Sequence, residues 1–215
     1  MKRKILVMIS ILLIFSACSK KDNKENTKVD NSKVESSQKS EETKRVKNFK
    51  KDEYKKIYDE LEGKEFFYSY QSQAEAIYFY KDGYFDGAFR SGDYNQGKVS
   101  LYNGKFDIKE KLDETSYLIS LRRIDYELPL GESEMRNIEG MDFTLEYIES
   151  KMYGKDDKDN LYILYLPHRK LNDIKDHERY IAKIDDKHIK DGELKVFAIG
   201  KKDASEENFM VEYVR

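Results

Sequence analysis

Ile77-Tyr78-Phe79-Tyr80-Lys81-Asp82-Gly83-Tyr84-Phe85-Asp86-Gly87-Ala88-Phe89 is the stretch that decides the fold. An Asp-Gly pair between two runs of aromatic and apolar residues is a strong local signal for a β-hairpin, because glycine accepts the backbone angles of a tight turn. Side chains alternate across a strand, so Ile77 and Phe79 share one face, and Ala76, Tyr78 and Tyr80 the other. Working outward, Phe66, Tyr68 and Tyr70 share one face of an upstream strand, and 74–81 continues the aromatic pattern. Further strands read at 98–108, 114–126, 161–166, 193–199 and 208–214, with Pro167 closing one of them. About eight short antiparallel strands predict a mainly β chain, built as a small closed barrel or, alternatively, a β-sandwich. Segments 141–151 and 170–184 are ambiguous and leave room for short helices.

Ahead of the strands, Tyr54, Ile57, Tyr58 and Leu61 fall at helical spacing on one apolar face. Asp52 suits the start of that short amphipathic helix and Gly63 its end. Residues 51–215 therefore read as one domain, which carries all 17 tyrosines and a formal charge balance of −9. Such acidity argues against nucleic acid as a partner, since phosphate binding wants a basic face.

The first residues give an address. Lys2, Arg3 and Lys4 precede an apolar run from Ile5 to Phe15, and Ser16-Ala17-Cys18 follows. A basic start, a short apolar core and small residues before a cut are the parts of a secretory signal, and the run is too short to span a bilayer. The pattern looks like a bacterial lipoprotein signal over 1–17, although Phe15 stands where such signals usually have Leu. Cys18, the only cysteine, would then be the lipidated N-terminus of the mature chain. A diacylglyceryl group supplies two acyl chains, which hold a membrane far better than one. It also consumes the only thiol, leaving no disulfide or thiolate nucleophile. From Cys18 to Lys50 the chain is mostly Lys, Glu, Ser, Asn and Thr, and residues 19–50 balance at +4. That composition predicts a disordered polar tether. The expected location is the extracytoplasmic face of the cell membrane.

Four pieces resemble a known group: Asp82-Gly83-Tyr84-Phe85-Asp86-Gly87, Asn103-Gly104-Lys105-Phe106, Thr115-Ser116-Tyr117-Leu118-Ile119-Ser120-Leu121 and Leu164-Tyr165-Leu166-Pro167. In this order they are similar to uncharacterised, lipid-anchored, lipocalin-like β-barrel lipoproteins of Gram-positive bacteria, over roughly Leu61 to the C-terminus. Gln73-Ala74-Glu75-Ala76 stands where that pattern has a tryptophan. The resemblance implies a lipocalin-like barrel and a surface address; it carries no established activity.

His168, His177 and His188 lack the close spacing of zinc ligands. Asp156-Asp157-Lys158-Asp159-Asn160 gathers oxygen atoms but lacks the central glycine and distal glutamate of a calcium loop. Asp185-Asp186 and Glu132/Glu134 are acidic neighbours in polar linking sequence, and Arg90-Ser91-Gly92-Asp93 reads as a turn. No nucleophile elbow, phosphate loop or Cys–His pair is present. No catalytic residue, metal ligand or cofactor is expected. Tyr68, Tyr78, Tyr80 and Phe85 are the candidates to line a barrel, tyrosine offering an apolar ring with a polar tip. The expected function is a monomeric surface lipoprotein that binds a small apolar or amphipathic ligand or an envelope partner. The alternative is an extracytoplasmic enzyme or enzyme inhibitor using loop carboxylates.

Overall fold

The computed structural model describes residues 51–153, 161–202 and 209–214. The signal, Cys18 and the tether lie outside the described residues, as does Asp156–Asn160.

The Asp82-Gly83 hairpin is present. Strands β2 (Gln73–Phe79) and β3 (Tyr84–Asp93) pair antiparallel from Phe79↔Phe85 to Gln73↔Ser91. A short 3-10 turn, Lys81–Gly83, joins them with Asp82 at φ 58°. β1 (Glu65–Tyr70) precedes them; β4 (Gln96–Asp113) and β5 (Ser116–Tyr126) extend the meander. β8 (Leu161–Tyr165), β11 (Ala198–Lys201) and β12 (Phe209–Glu212) complete the circuit. β12 returns to β1 through Phe66↔Glu212, so β1, β2, β3, β4, β5, β8, β11 and β12 form a closed antiparallel barrel. The fold is mainly β, and of the two architectures left open by the strand pattern it is the barrel. Register shifts in β4 after Lys105, Ile108 and Lys111 let this long strand coil around the wall.

Several details differ from the sequence expectation. Arg90–Asp93 is no turn: it continues β3, pairing with residues 96–99, and the reversal falls at Tyr94 and Asn95. Segment 141–151 holds no helix over its first part. Met141–Tyr147 is strand β7, paired antiparallel to β6 (Ser133–Ile138) and parallel to the start of β4. The β6–β7 hairpin takes over the edge of β4 where β5 ends, at Tyr126↔Tyr102. Span 193–199 splits into β10 (Glu193–Leu194), which pairs with β9 (Ile189–Lys190), and the barrel strand β11. Within 170–184 lie a 3-10 turn, Leu171–Asp173, and the short helix α2 (Asp176–Ile181).

Two apolar clusters hold these pieces. Inside the barrel are Phe66, Ile77, Phe79, Phe85, Tyr102, Phe106, Tyr162, Leu164, Ile199 and Met210. On the outer face of β8, β11 and β12, Tyr165, Ala198, Phe209 and Val211 are covered by Ile174, Ala182, Leu194 and Val196. That second cluster accounts for the irregular 170–196 segment, which seals the outside of three strands.

The predicted helix is α1, residues 51–61. Ile57 and Leu61 are buried, each burial stabilising by about 1.5–3 kcal/mol. Its tyrosines tie it to the β4 end of the barrel. The Tyr58 hydroxyl donates to the Phe106 carbonyl at 3.3 Å and accepts from Ile108 N at 3.0 Å. Tyr54 donates to the Lys109 carbonyl at 3.3 Å, and Tyr117 donates to Glu53 at 2.8 Å. Among the described residues no helix is long and apolar enough to cross a membrane.

Candidate functional site in the barrel interior

The inward rows follow from the period of two. On β2, Glu75, Ile77 and Phe79 point inward and are each about 1% exposed. Tyr78 and Tyr80, expected to line the interior, are on the outer face at 41% and 43% exposure. The correction has a plain cause: the inner row of β2 is the odd-numbered one. Tyr68 and Phe85, the other two candidates, are inward and buried.

The register sets four inward residues in one row across four neighbouring strands: Tyr68, Glu75, Phe89 and Ser100. The next row is Phe66, Ile77, Gly87 and Tyr102. A carboxylate therefore sits inside an aromatic barrel. Glu75 accepts from the Tyr102 hydroxyl at 2.5 Å, from the Ser150 hydroxyl, and from Met152 N at 3.2 Å. Burial pushes its pKa from the ordinary 4.5 up to about 7, against the pull of those three donors and of Lys151. Burial and the Glu75 charge in turn push the Tyr102, Tyr153 and Tyr162 phenols up, so all three stay protonated donors at neutral pH.

Two of the Glu75 donors come from the chain that follows β7. Ile148 N bonds the Val99 carbonyl at 3.0 Å, and the chain then crosses into the lumen, burying Ser150, Met152 and Tyr153. The Tyr153 ring lies 5.8, 6.1, 5.6 and 5.3 Å from the rings of Phe85, Tyr102, Phe106 and Tyr162. Among the described residues its hydroxyl donates to a weak acceptor, the Met210 sulfur at 3.2 Å. The backbone of this strap is held by side chains. Ser150 N donates to the Tyr126 hydroxyl at 3.2 Å, and Tyr153 N donates to Ser150 Oγ at 2.7 Å. The Met152 carbonyl accepts from Tyr162 at 3.0 Å and the Tyr153 carbonyl from Tyr126 at 2.9 Å. In the Glu75 row, Ser100 Oγ, on a residue 1% exposed, has no hydrogen-bond partner among the described residues.

The loop acids do not join this site. Glu134 pairs with Arg136 and bonds Tyr147, which hold its carboxyl below the usual range. Asp185 caps its own turn through Lys187 N at 2.9 Å and lies 2.8 Å from His188. His168 stands beside Glu193 at 3.2 Å. Among the described residues no three His, Cys, Asp or Glu side chains gather as metal ligands.

In the sequence Glu75 stands out only as part of the stretch that takes a tryptophan's place. The signal was present nonetheless, because Glu75 shares the odd-numbered face of Ile77 and Phe79. Ser150, Met152 and Tyr153 carry no comparable pattern.

This interior defines a closed antiparallel barrel, ring-lined, with one buried acid and a strap through its lumen. Comparison with protein families, with curated proteins and with solved structures finds no match for the chain.

Proposed function

We propose that the chain is a bacterial surface lipoprotein, held to the extracytoplasmic face of the membrane by a diacylglyceryl group on Cys18, whose barrel binds a small apolar or amphipathic ligand. One observation carries the binding half of this reading: a polar carboxylate is maintained inside an aromatic lumen. A barrel built only for stability gains nothing from a buried acid, whose desolvation costs several kcal/mol unless partners offset it. Pockets for small ligands combine apolar walls with a few placed polar groups, and Glu75, Tyr102 and Ser100 supply these. The address rests on the signal pattern of residues 1–18.

Two measurements test it. Native mass spectrometry of the full chain, extracted gently in detergent, is expected to reveal a co-purifying small molecule; its absence from repeated preparations overturns the binding half. Cys18→Ala is expected to move the protein into the medium or leave it as unprocessed precursor. If the variant stayed on the membrane at mature size, the lipid anchor would be wrong.

A further inference from the structure

Resting on that reading, we propose that the strap at residues 148–153 is a built-in occupant of the ligand seat. Tyr153 fills the place of a flat apolar ring, and the ligand enters by taking the strap's place on Glu75. The chemistry the strap now supplies defines what must replace it. Its ring sits among Phe85, Tyr102, Phe106 and Tyr162 at 5.3–6.1 Å. Its donors to the carboxylate are a hydroxyl and an N–H, from Ser150 and Met152. The ligand class is therefore a flat aromatic or alicyclic molecule carrying an O–H, an N–H or a protonated amine at one end.

Three features make exchange physically reasonable. From Ser150 to Tyr153 the strap's backbone groups are bonded to barrel side chains of Glu75, Tyr126 and Tyr162, which can turn to a new partner, while Ile148 N keeps its bond to the Val99 carbonyl as the strap's fixed end. Strand ladder bonds, by contrast, would have to break outright. Tyr153 gives its hydroxyl to a thioether, a weak acceptor that a departing ring leaves at small cost. Finally, the buried Ser100 hydroxyl lies in the Glu75 row with no partner among the described residues, so a ligand's polar end would gain a bond that the strap does not make.

The test uses the full chain and N-phenyl-1-naphthylamine, a fluorescent aromatic with one N–H donor. The parent chain is expected to bind the dye weakly, and dye binding is expected to speed hydrogen exchange at the Met152 and Tyr153 amides. Tyr153→Ala, with the seat vacated, is expected to bind the dye at least ten-fold more tightly. Phe79→Ala, which removes another fully buried ring from the same core, is expected to leave affinity near the parent value. An equal gain from Phe79→Ala would show that any hole suffices and would overturn the proposal. Exchange at the two amides that stays unchanged or slows when dye is added to the parent also overturns it, whether or not Tyr153→Ala folds. A co-purified molecule that stays on Tyr153→Ala and is not displaced by the dye would keep the binding reading but overturn the strap as its gate.

Discussion

Between pH 5 and pH 8 the protein is expected to lose about 2 to 3 kcal/mol of unfolding free energy, and Glu75→Gln to abolish most of that loss. The magnitude follows from Glu75 alone. Its carboxyl titrates near 4.5 when solvated and at about 7 when folded, and each tenfold is worth about 1.4 kcal/mol. Between those two values the folded chain holds a proton that the unfolded chain has already shed. Raising the pH therefore favours unfolding, and the loss levels off above about 7. The sign is opposite to that of a paired surface acid. Asp113, held down to about 2 by Thr115 N and by Arg169 at 2.5 Å, stabilises above its unfolded pKa and loses that effect only in stronger acid, outside the window. Chemical denaturation of parent and Glu75→Gln at several pH values separates the two. A parent whose stability rises from pH 5 to pH 8, or a variant as pH-sensitive as the parent, would refute the buried-acid assignment.

Gly87→Ala is expected to destabilise by about 3–5 kcal/mol, although replacing glycine in a strand usually helps by about 0.5–1 kcal/mol. A Cβ at Gly87 would stand 2.2 Å from Tyr102 Cε2 and 2.4 Å from its Cζ. The ring cannot step aside freely, being fully buried with its hydroxyl on Glu75. Overpacking costs about 1–3 kcal/mol and leaving the buried Tyr102–Glu75 pair unmade about 1–3 kcal/mol, which together give the estimate. Gly104 poses the same problem, with Phe85 Cζ at 2.4 Å and the Arg123 carbonyl at 2.8 Å from its notional Cβ. Because Gly87 and Tyr102 share one contact, Gly87→Ala combined with Tyr102→Leu should cost less than the two changes separately. Strict additivity, or a Gly87→Ala variant as stable as the parent, would contradict this packing.

The Asp82-Gly83 reversal, the α1 stripe of Ile57 and Leu61, and the alternation along β1 and β2 are local and were readable. Which face of β2 turned inward was not, because Tyr78 and Tyr80 suit a lumen as well as Ile77 and Phe79 do. Only closure with neighbouring strands decides it. Strand β7 was missed for a related reason. Met-Asp-Phe-Thr-Leu-Glu-Tyr alternates apolar and polar as a half-buried strand does, but the alternation stops at Ile148, and its partner beyond the β6 hairpin is the distant start of β4, in parallel pairing. Arg90–Asp93 reads as a turn by composition, yet β4 holds it extended. The strap is the least legible part, since its conformation is imposed by Glu75, Tyr126 and Tyr162 from three separate strands.

The seam between β1 and β12 has a kinetic consequence. Phe66 must meet Glu212, so the circle joins the beginning and the end of the domain. Neighbouring hairpins from β1 to β5 can form early, because their loops are short. The last junction waits for nearly the whole domain to be available, and closing so long a loop is slow. A chain shortened by its last few residues would retain its hairpins yet present two raw sheet margins, the condition under which β-rich polypeptides stick to one another.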